Sequence, residues 1–247
     1  MPSRLAAPPP PDTARPPAVA EFAGDAPSTP VWRNTVGGLT FRVDRADGPA
    51  FVKWNPGDSG ESLVDEARRL DWLLGRFPAP RVLAYGLDDT GEWLATAAID
   101  GVSAVAEPWR ERPVAAARAM GEGLRRLHDG LDPDDCPFDW SLDARLADAA
   151  RRGLGAALPP EPTIDRLVVC HGDPCAPNTL IDPSGGFAAI VDVGRLGVAD
   201  RWADLAVASW SLEWNFGAGF EGDFFDGYGI APDPERIAFY RAVWDAT

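Results

Sequence analysis

At 247 residues and 45% hydrophobic composition, the chain is long enough for one large domain or for two small lobes, each with its own core. A formal net charge of -15 argues against a nucleic-acid partner, because phosphate backbones are bound by an excess of Lys and Arg; it suits a cationic or metal-complexed ligand, or simply a solvated acidic surface. No apolar run nears the roughly 20 residues that span a bilayer, the N-terminus carries no apolar leader, and the three cysteines Cys136, Cys170 and Cys175 form no paired framework, so neither a membrane partner nor disulfides are expected and a cytoplasmic protein is.

Residues 1–30 are rich in Pro and Ala with few large apolar side chains, and read as a disordered or extended arm. From residue 31 to 99 the pattern is a small β-rich lobe. "LTFRVD" (39–44) and "AFVKW" (50–54) form a hairpin around "RADGP", and a helix follows in which Leu63, Ala67, Leu70 and Leu74 share a face, with "DSGE" (58–61) as its capping box. "RVLAYG" (81–86) and "EWLATAAI" (92–99) add two strands. After a short hinge, residues 100–247 turn mostly helical. Pro113 opens a helix with Ala117, Met120, Leu124 and Leu127 on one side, another helix follows Asp200, and a last one starts at Asp233-Pro234 and carries Ile237, Tyr240 and Trp244. The expected class is α+β and bilobal, a β-rich N-lobe and a larger helical C-lobe containing a short hairpin around "DPSGG".

That hairpin region, "VVCHGDPCAPNTLIDPSGGFAAIVDVG" (168–194), carries the chemistry. Asp173 precedes Asn178 by five residues and Asp192 opens "DVG", the spacing that protein kinases use for a catalytic-loop Asp, a metal-binding Asn and a second metal-binding Asp. Hard oxygen ligands suit Mg²⁺, so Asn178 and Asp192 are candidate metal ligands, and Asp173 is then free to accept a hydroxyl proton. The competing reading makes all three turn-forming residues. Cys170 and Cys175 do not read as zinc ligands, since the only histidines are His128 and His171 and a structural site needs four donors.

"VVCHGDPCAPNTLID…IVDVGRLGVADRWADLA", "LHDGLDPDDCPFDW" and "GIAPDPERIAFYR" resemble the aminoglycoside phosphotransferase family, in particular its 3'-phosphotransferase branch, from about residue 31 to the C-terminus. The resemblance implies a protein-kinase-like fold and transfer of the ATP γ-phosphate, with Mg²⁺, to a hydroxyl of a small-molecule acceptor, an aminoglycoside, in antibiotic resistance. It implies Asp173 as catalytic base, Asn178 and Asp192 as metal ligands, Arg195 beside the reaction centre, and His171 and Asp204 as supports of the catalytic loop. Lys53, the only lysine of the chain, lies in an apolar strand and is the candidate for the nucleotide phosphates. At about 100° per residue Glu66 flanks the apolar stripe of its helix while Glu61 and Asp65 point away, so Glu66 is its expected partner. Gly37 and Gly38 stand where the family's nucleotide loop passes, or are plain turn glycines. His128 reads as a packing or hydrogen-bonding residue.

The acceptor region departs from the family pattern. Where an acidic pair is usual the chain has Trp214 and Asn215 with Glu213 just before, the C-terminus reads "AVWDAT" with Asp245 after Trp244, and the stretch ahead of "VVCHGD" is short. Glu213, Trp214 and Asp245 are the candidate acceptor contacts, with Asp139 and Asp143 also available. Indole surface and Asn also suit a less charged hydroxylated natural product or metabolite as acceptor. A non-catalytic binding module on the same scaffold is disfavoured by the presence of Lys53, Asp173, Asn178 and Asp192 together. A protein kinase is disfavoured because "RLGVADRWADLA" leaves no activation segment.

Overall fold

A computed structural model describes residues 8–155 and 157–247. They form two compact units, one of residues up to Leu74 with Ala79–Ile99 and one of Gly75–Pro78 with Asp100–Thr247. The first is built on an antiparallel sheet of β1 (Ser28–Arg33), β2 (Leu39–Arg45), β3 (Gly48–Pro56), β4 (Val82–Asp88) and β5 (Gly91–Ala97), in the order β1-β2-β3-β5-β4. Side chains alternate across the pleat, so Phe41, Val52 and Ala95, in register on three adjacent strands, are buried together. Lys53, one residue on from Val52, pairs with Thr40 and Leu94 and points to the other face.

α2 (Leu63–Leu73) buries Leu63, Glu66, Ala67, Leu70 and Leu73. Its cap differs from the expected one. "DSGE" is not the start: Ser62 caps the helix, its hydroxyl accepting from the Asp65 amide at 3.2 Å and donating to Glu92 at 3.0 Å. Glu92 in turn accepts from the Val64 amide, so a strand carboxylate satisfies a first-turn donor that sequence spacing assigned to a local box. Leu74 is 58% exposed, and Leu73 takes the core position instead.

The expectation of a disordered arm over residues 1–30 is overturned for residues 17–30; residues 1–7 lie outside the described residues. α1 (Pro17–Ala23) starts with Pro at its first position, and Val19 and Ala23 are buried against Phe41, Val43, Val52 and Ala95, with Phe22 packed alongside. The high Pro content hid an i, i+3, i+4 apolar triplet. β1 tolerates Pro30 because it is an edge strand whose register shifts between Pro30 and Trp32.

In the second unit, α3 (Pro113–Gly130) buries Ala117, Met120, Leu124 and Leu127 as their spacing predicts. α4 (Leu142–Arg151) is capped by Ser141. β7 (Leu167–Cys170) pairs antiparallel with β10 (Gly197–Asp200), and β8 (Thr179–Ile181) and β9 (Phe187–Ile190) form the hairpin, extended by the two-residue β6 (Val102–Ser103). α5 (Trp202–Phe216), α6 (Glu221–Tyr228) and α7 (Pro234–Ala246) complete it, the last capped by Asp233. α4 and α6 go beyond the helices expected from periodicity. α6 contains Gly222 and Gly227, poor helix formers; its partner α3 compensates by close approach, since a Cβ on Gly121 would lie 2.2 Å from the Phe224 carbonyl and one on Gly227 2.5 Å from that of Arg118. Among the described residues no helix is long and apolar enough to cross a membrane.

Val19 distinguishes a packed helix from a loose arm. Val19→Ala is expected to cost about 1–2 kcal/mol of stability, read as a lowered urea midpoint, from lost burial plus the cavity left behind; an unchanged midpoint would mean the segment does not pack.

Candidate active site

In the first unit the strand lysine meets the helix glutamate. Lys53 Nζ donates to both Glu66 carboxylate oxygens, at 2.7 and 2.9 Å. The Glu66 side chain is almost fully buried and its charge is met by the ammonium group, while Lys53 keeps part of its surface exposed. Asp65, one residue earlier, points outward to Arg68. Gly37 and Gly38 lie in the β1–β2 turn. Gly37 has φ 88°, and a Cβ on Gly38 would fall 1.9 Å from Asn55 Oδ1, so the turn backbone is pressed onto that side chain. Asn34 accepts from the Gly38 amide and donates to Asn55. Both asparagines were missed in the sequence, where nothing pairs them.

In the second unit β7 runs into the loop His171-Gly172-Asp173. The loop hangs from Asp204 in the first turn of α5, whose fully buried carboxylate accepts from the amides of His171 at 2.6 Å and Gly172 at 3.0 Å. His128 Nε2 lies 3.1 Å from the same carboxylate, and His128 Nδ1 lies 2.9 Å from Tyr228 Oη. Burial pushes the Tyr228 phenol up to about 12, so it keeps its proton. A carboxylate only accepts, so Nε2–H of His128 is the donor to Asp204. His171 Nδ1 accepts the Asp173 amide at 3.2 Å, which leaves Nε2–H to donate to the Val191 carbonyl at 3.0 Å. Gly172 has φ 84°, and a Cβ there would lie 2.1 Å from the Arg195 carbonyl oxygen, so the loop also rests on the backbone of "DVGR".

These constraints aim three oxygen-bearing side chains. Asp173 Oδ1 is buried without a hydrogen-bond partner, an atom waiting for a donor. The Asn178 amide nitrogen donates to the Asp173 carbonyl at 3.0 Å, leaving its oxygen as the end that can ligate. The Asn178 carbonyl accepts from Val191, whose neighbour is Asp192. Asp192 has φ 62°, alone among non-glycine described residues in that region, a strain of about 1–3 kcal/mol that functional sites retain. Amide and carboxylate oxygens are donors of the hardness Mg²⁺ selects.

His128, Cys170 and Asp204 also lie close enough to hold a metal, but their donors are engaged. Burial and the nearby Asp204 and Asp200 push the Cys170 thiol well above its ordinary value, and a protonated thiol is no ligand. Cys175 is raised in the same sense by burial, then by Asp173.

On α5, Ser211 is a residue the sequence did not mark. Its hydroxyl accepts from the Ala176 amide at 2.9 Å, and Asn215, one turn on, donates to the Ser211 carbonyl at 2.8 Å. Glu213 is exposed, and Trp214 is half-exposed with its ring 4.9 Å from that of Trp210. On α7 Asp245 is exposed, while Trp244 packs with Arg195. Asp139 caps the turn into α4 by accepting from the Ser141 amide, and Asp143 lies in the first turn of α4.

Comparison with known proteins follows this geometry. The profile of APH, the phosphotransferase enzyme family, matches residues 34–240. An aminoglycoside 3'-phosphotransferase of Streptomyces fradiae is 42% identical over 219 residues, 76% of this chain and 81% of the relative. The crystal structure of an aminoglycoside-3'-phosphotransferase of type VIII superimposes with a TM-score of 0.80 at 31% identity, covering 93% of this chain and 97% of that one. Aminoglycoside phosphotransferase APH(3'')-Id from Streptomyces rimosus, solved with ADP and streptomycin, gives 0.70 at 31% identity over 92% and 95%.

Two outcomes test this site. Asp204→Asn is expected to cost about 2–4 kcal/mol and to lower the thermal midpoint, because an amide nitrogen then faces backbone N–H donors in a buried place; a wild-type midpoint would show that the loop does not depend on this carboxylate. The raised thiols leave almost no thiolate at pH 8, so iodoacetamide should modify neither Cys170, which is buried, nor Cys175, which is half-buried, in the native protein; mass spectrometry showing fast labelling at either would contradict the raised thiols.

Proposed function

The chain belongs to the phosphotransferase enzyme family, and we propose that it transfers the γ-phosphate of ATP to a hydroxyl of an aminoglycoside, as a 3'-phosphotransferase acting in antibiotic resistance. The observation that carries this reading is the Asp173 carboxylate: one oxygen buried and unpartnered, on a loop whose backbone donors are consumed by Asp204 and His171, with Asn178 and Asp192 alongside. Such a carboxylate accepts the acceptor's hydroxyl proton as the oxygen attacks phosphorus, and its fixed direction supplies most of what positioning can contribute. Mg²⁺ held by Asn178 and Asp192 would neutralise phosphate charge. Lys53, itself oriented by Glu66, binds the α- and β-phosphates, and Arg195 offers a second cation to charge that spreads over the transferred group. Its free cysteines and its nucleotide donor suit action in the cytoplasm.

One observation favours a second acceptor class. The paired indoles of Trp210 and Trp214 offer an apolar face on α5, which suits a sugar ring of lower charge or another hydroxylated natural product.

The test is ADP release with Mg²⁺-ATP and kanamycin, with Asp173→Asn as comparison. Acceptor-dependent turnover in the wild type, reduced by about 100-fold or more in the variant while ADP still binds, is the expected result. Turnover surviving in Asp173→Asn would remove Asp173 as the base. Nucleotide binding without turnover on any aminoglycoside would move the acceptor to the second class.

A further inference from the structure

Arg195 is held by aromatic faces. Its guanidinium carbon lies 5.4 Å from the ring centre of Trp244 and 5.9 Å from that of Trp140, both within cation–π range. Its own backbone supports Gly172, next to Asp173: a Cβ on Gly172 would lie 2.7 Å from the Arg195 Cβ.

Both indoles are anchored independently of Arg195. The Trp140 amide donates to the Val198 carbonyl at 3.1 Å, the Val198 amide donates to the Phe138 carbonyl at 2.8 Å, and a Cβ on Gly197 would come within 2.9 Å of the Trp140 nitrogen. The segment bearing Trp140 is thus laid along β10, which starts two residues after Arg195. Trp244 sits in the last turns of α7. These two supports are tied together by Arg145 of α4, which is buried, lies 5.0 Å over the Trp140 ring and donates to Thr247 Oγ1 at 3.0 Å, while Thr247 donates back to the Val243 carbonyl in α7.

We propose that Trp140 and Trp244 are positioning residues whose ring faces hold the Arg195 guanidinium beside the His171–Asp173 loop. This rests on the phosphotransfer reading above. Contact with two rings narrows the rotamers of a long side chain, so its charge keeps one place beside that loop. The arrangement has an electrostatic cost: burial first, and then the Arg195 charge, pull the Arg145 guanidinium down to about 10. Two like charges on one indole are tolerable where the ring contacts offset the repulsion and one of the charges is used.

The test is a double-mutant cycle with a spectroscopic readout. Trp244→Ala should lower kcat about 5- to 30-fold with little change in the KM for ATP, and Trp244→Phe should restore most of it. In an Arg195→Ala background the same Trp244→Ala change should cost less than about twofold, because its target is gone. Losses that multiply in the double variant would overturn the proposal. Independently of turnover, the Arg195 Nε–H resonance, identified by its disappearance in Arg195→Ala, should be shifted upfield by ring currents and move towards the random-coil position in Trp244→Ala and Trp140→Phe. A resonance that stays in place in both would overturn the clamp even in an active enzyme. A shifted resonance in a protein that phosphorylates no acceptor would leave the clamp standing and refute the function.

Discussion

A single buried carboxylate organises the catalytic half of this protein. Asp204 has no exposed surface, and a charge so placed costs several kcal/mol unless donors surround it. Those donors are the amides of His171 and Gly172 and the imidazole of His128. Meeting that demand sets the loop's backbone, including a glycine in the left-handed region, and the next residue, Asp173, is left with an oxygen that no protein group satisfies. The strength of one interaction is converted into the direction of another.

The same economy operates in the other unit with the charges reversed. Glu66 is the buried partner and Lys53 the half-exposed one, so the glutamate is fixed by packing in α2 and the lysine by the glutamate. A lysine suits this place because its ammonium group can turn between a carboxylate and phosphate oxygens, whereas the planar fork of arginine prefers one bidentate partner. Twenty-three Lys and Arg residues occur in the chain, and the one position with this requirement carries the only lysine.

In the second unit several cations and aromatic rings are in contact. Arg195 lies over Trp140 and Trp244, Arg241 over Trp210, and Trp210 against Trp214. On α5 and α7 the exposed carboxylates are Glu213, Glu235 and Asp245, and Trp214 offers exposed indole surface beside Glu213 in the chain.

The sequence by itself determined the local patterns, both the secondary-structure periods and the candidate site residues. Spacing picked out Asp173, Asn178 and Asp192, helix geometry chose Glu66 over Glu61 and Asp65, and periodicity placed β2 to β5, α2, α3, α5 and α7, because these are local patterns written at periods of 2 or 3.6 and at fixed loop offsets. Tertiary structure decided what those patterns leave open. α1 and α6 form where Pro and Gly argue against them because each finds a surface to bury against, and Ser62, rather than the "DSGE" segment, caps α2, with Glu92 reaching across from β5. Asn34, Asn55, Ser211, Trp140 and Trp244 acquire partners only when segments far apart in the chain are brought together. A side chain's partner is a matter of distance in space, and one sequence reports distance only along the chain.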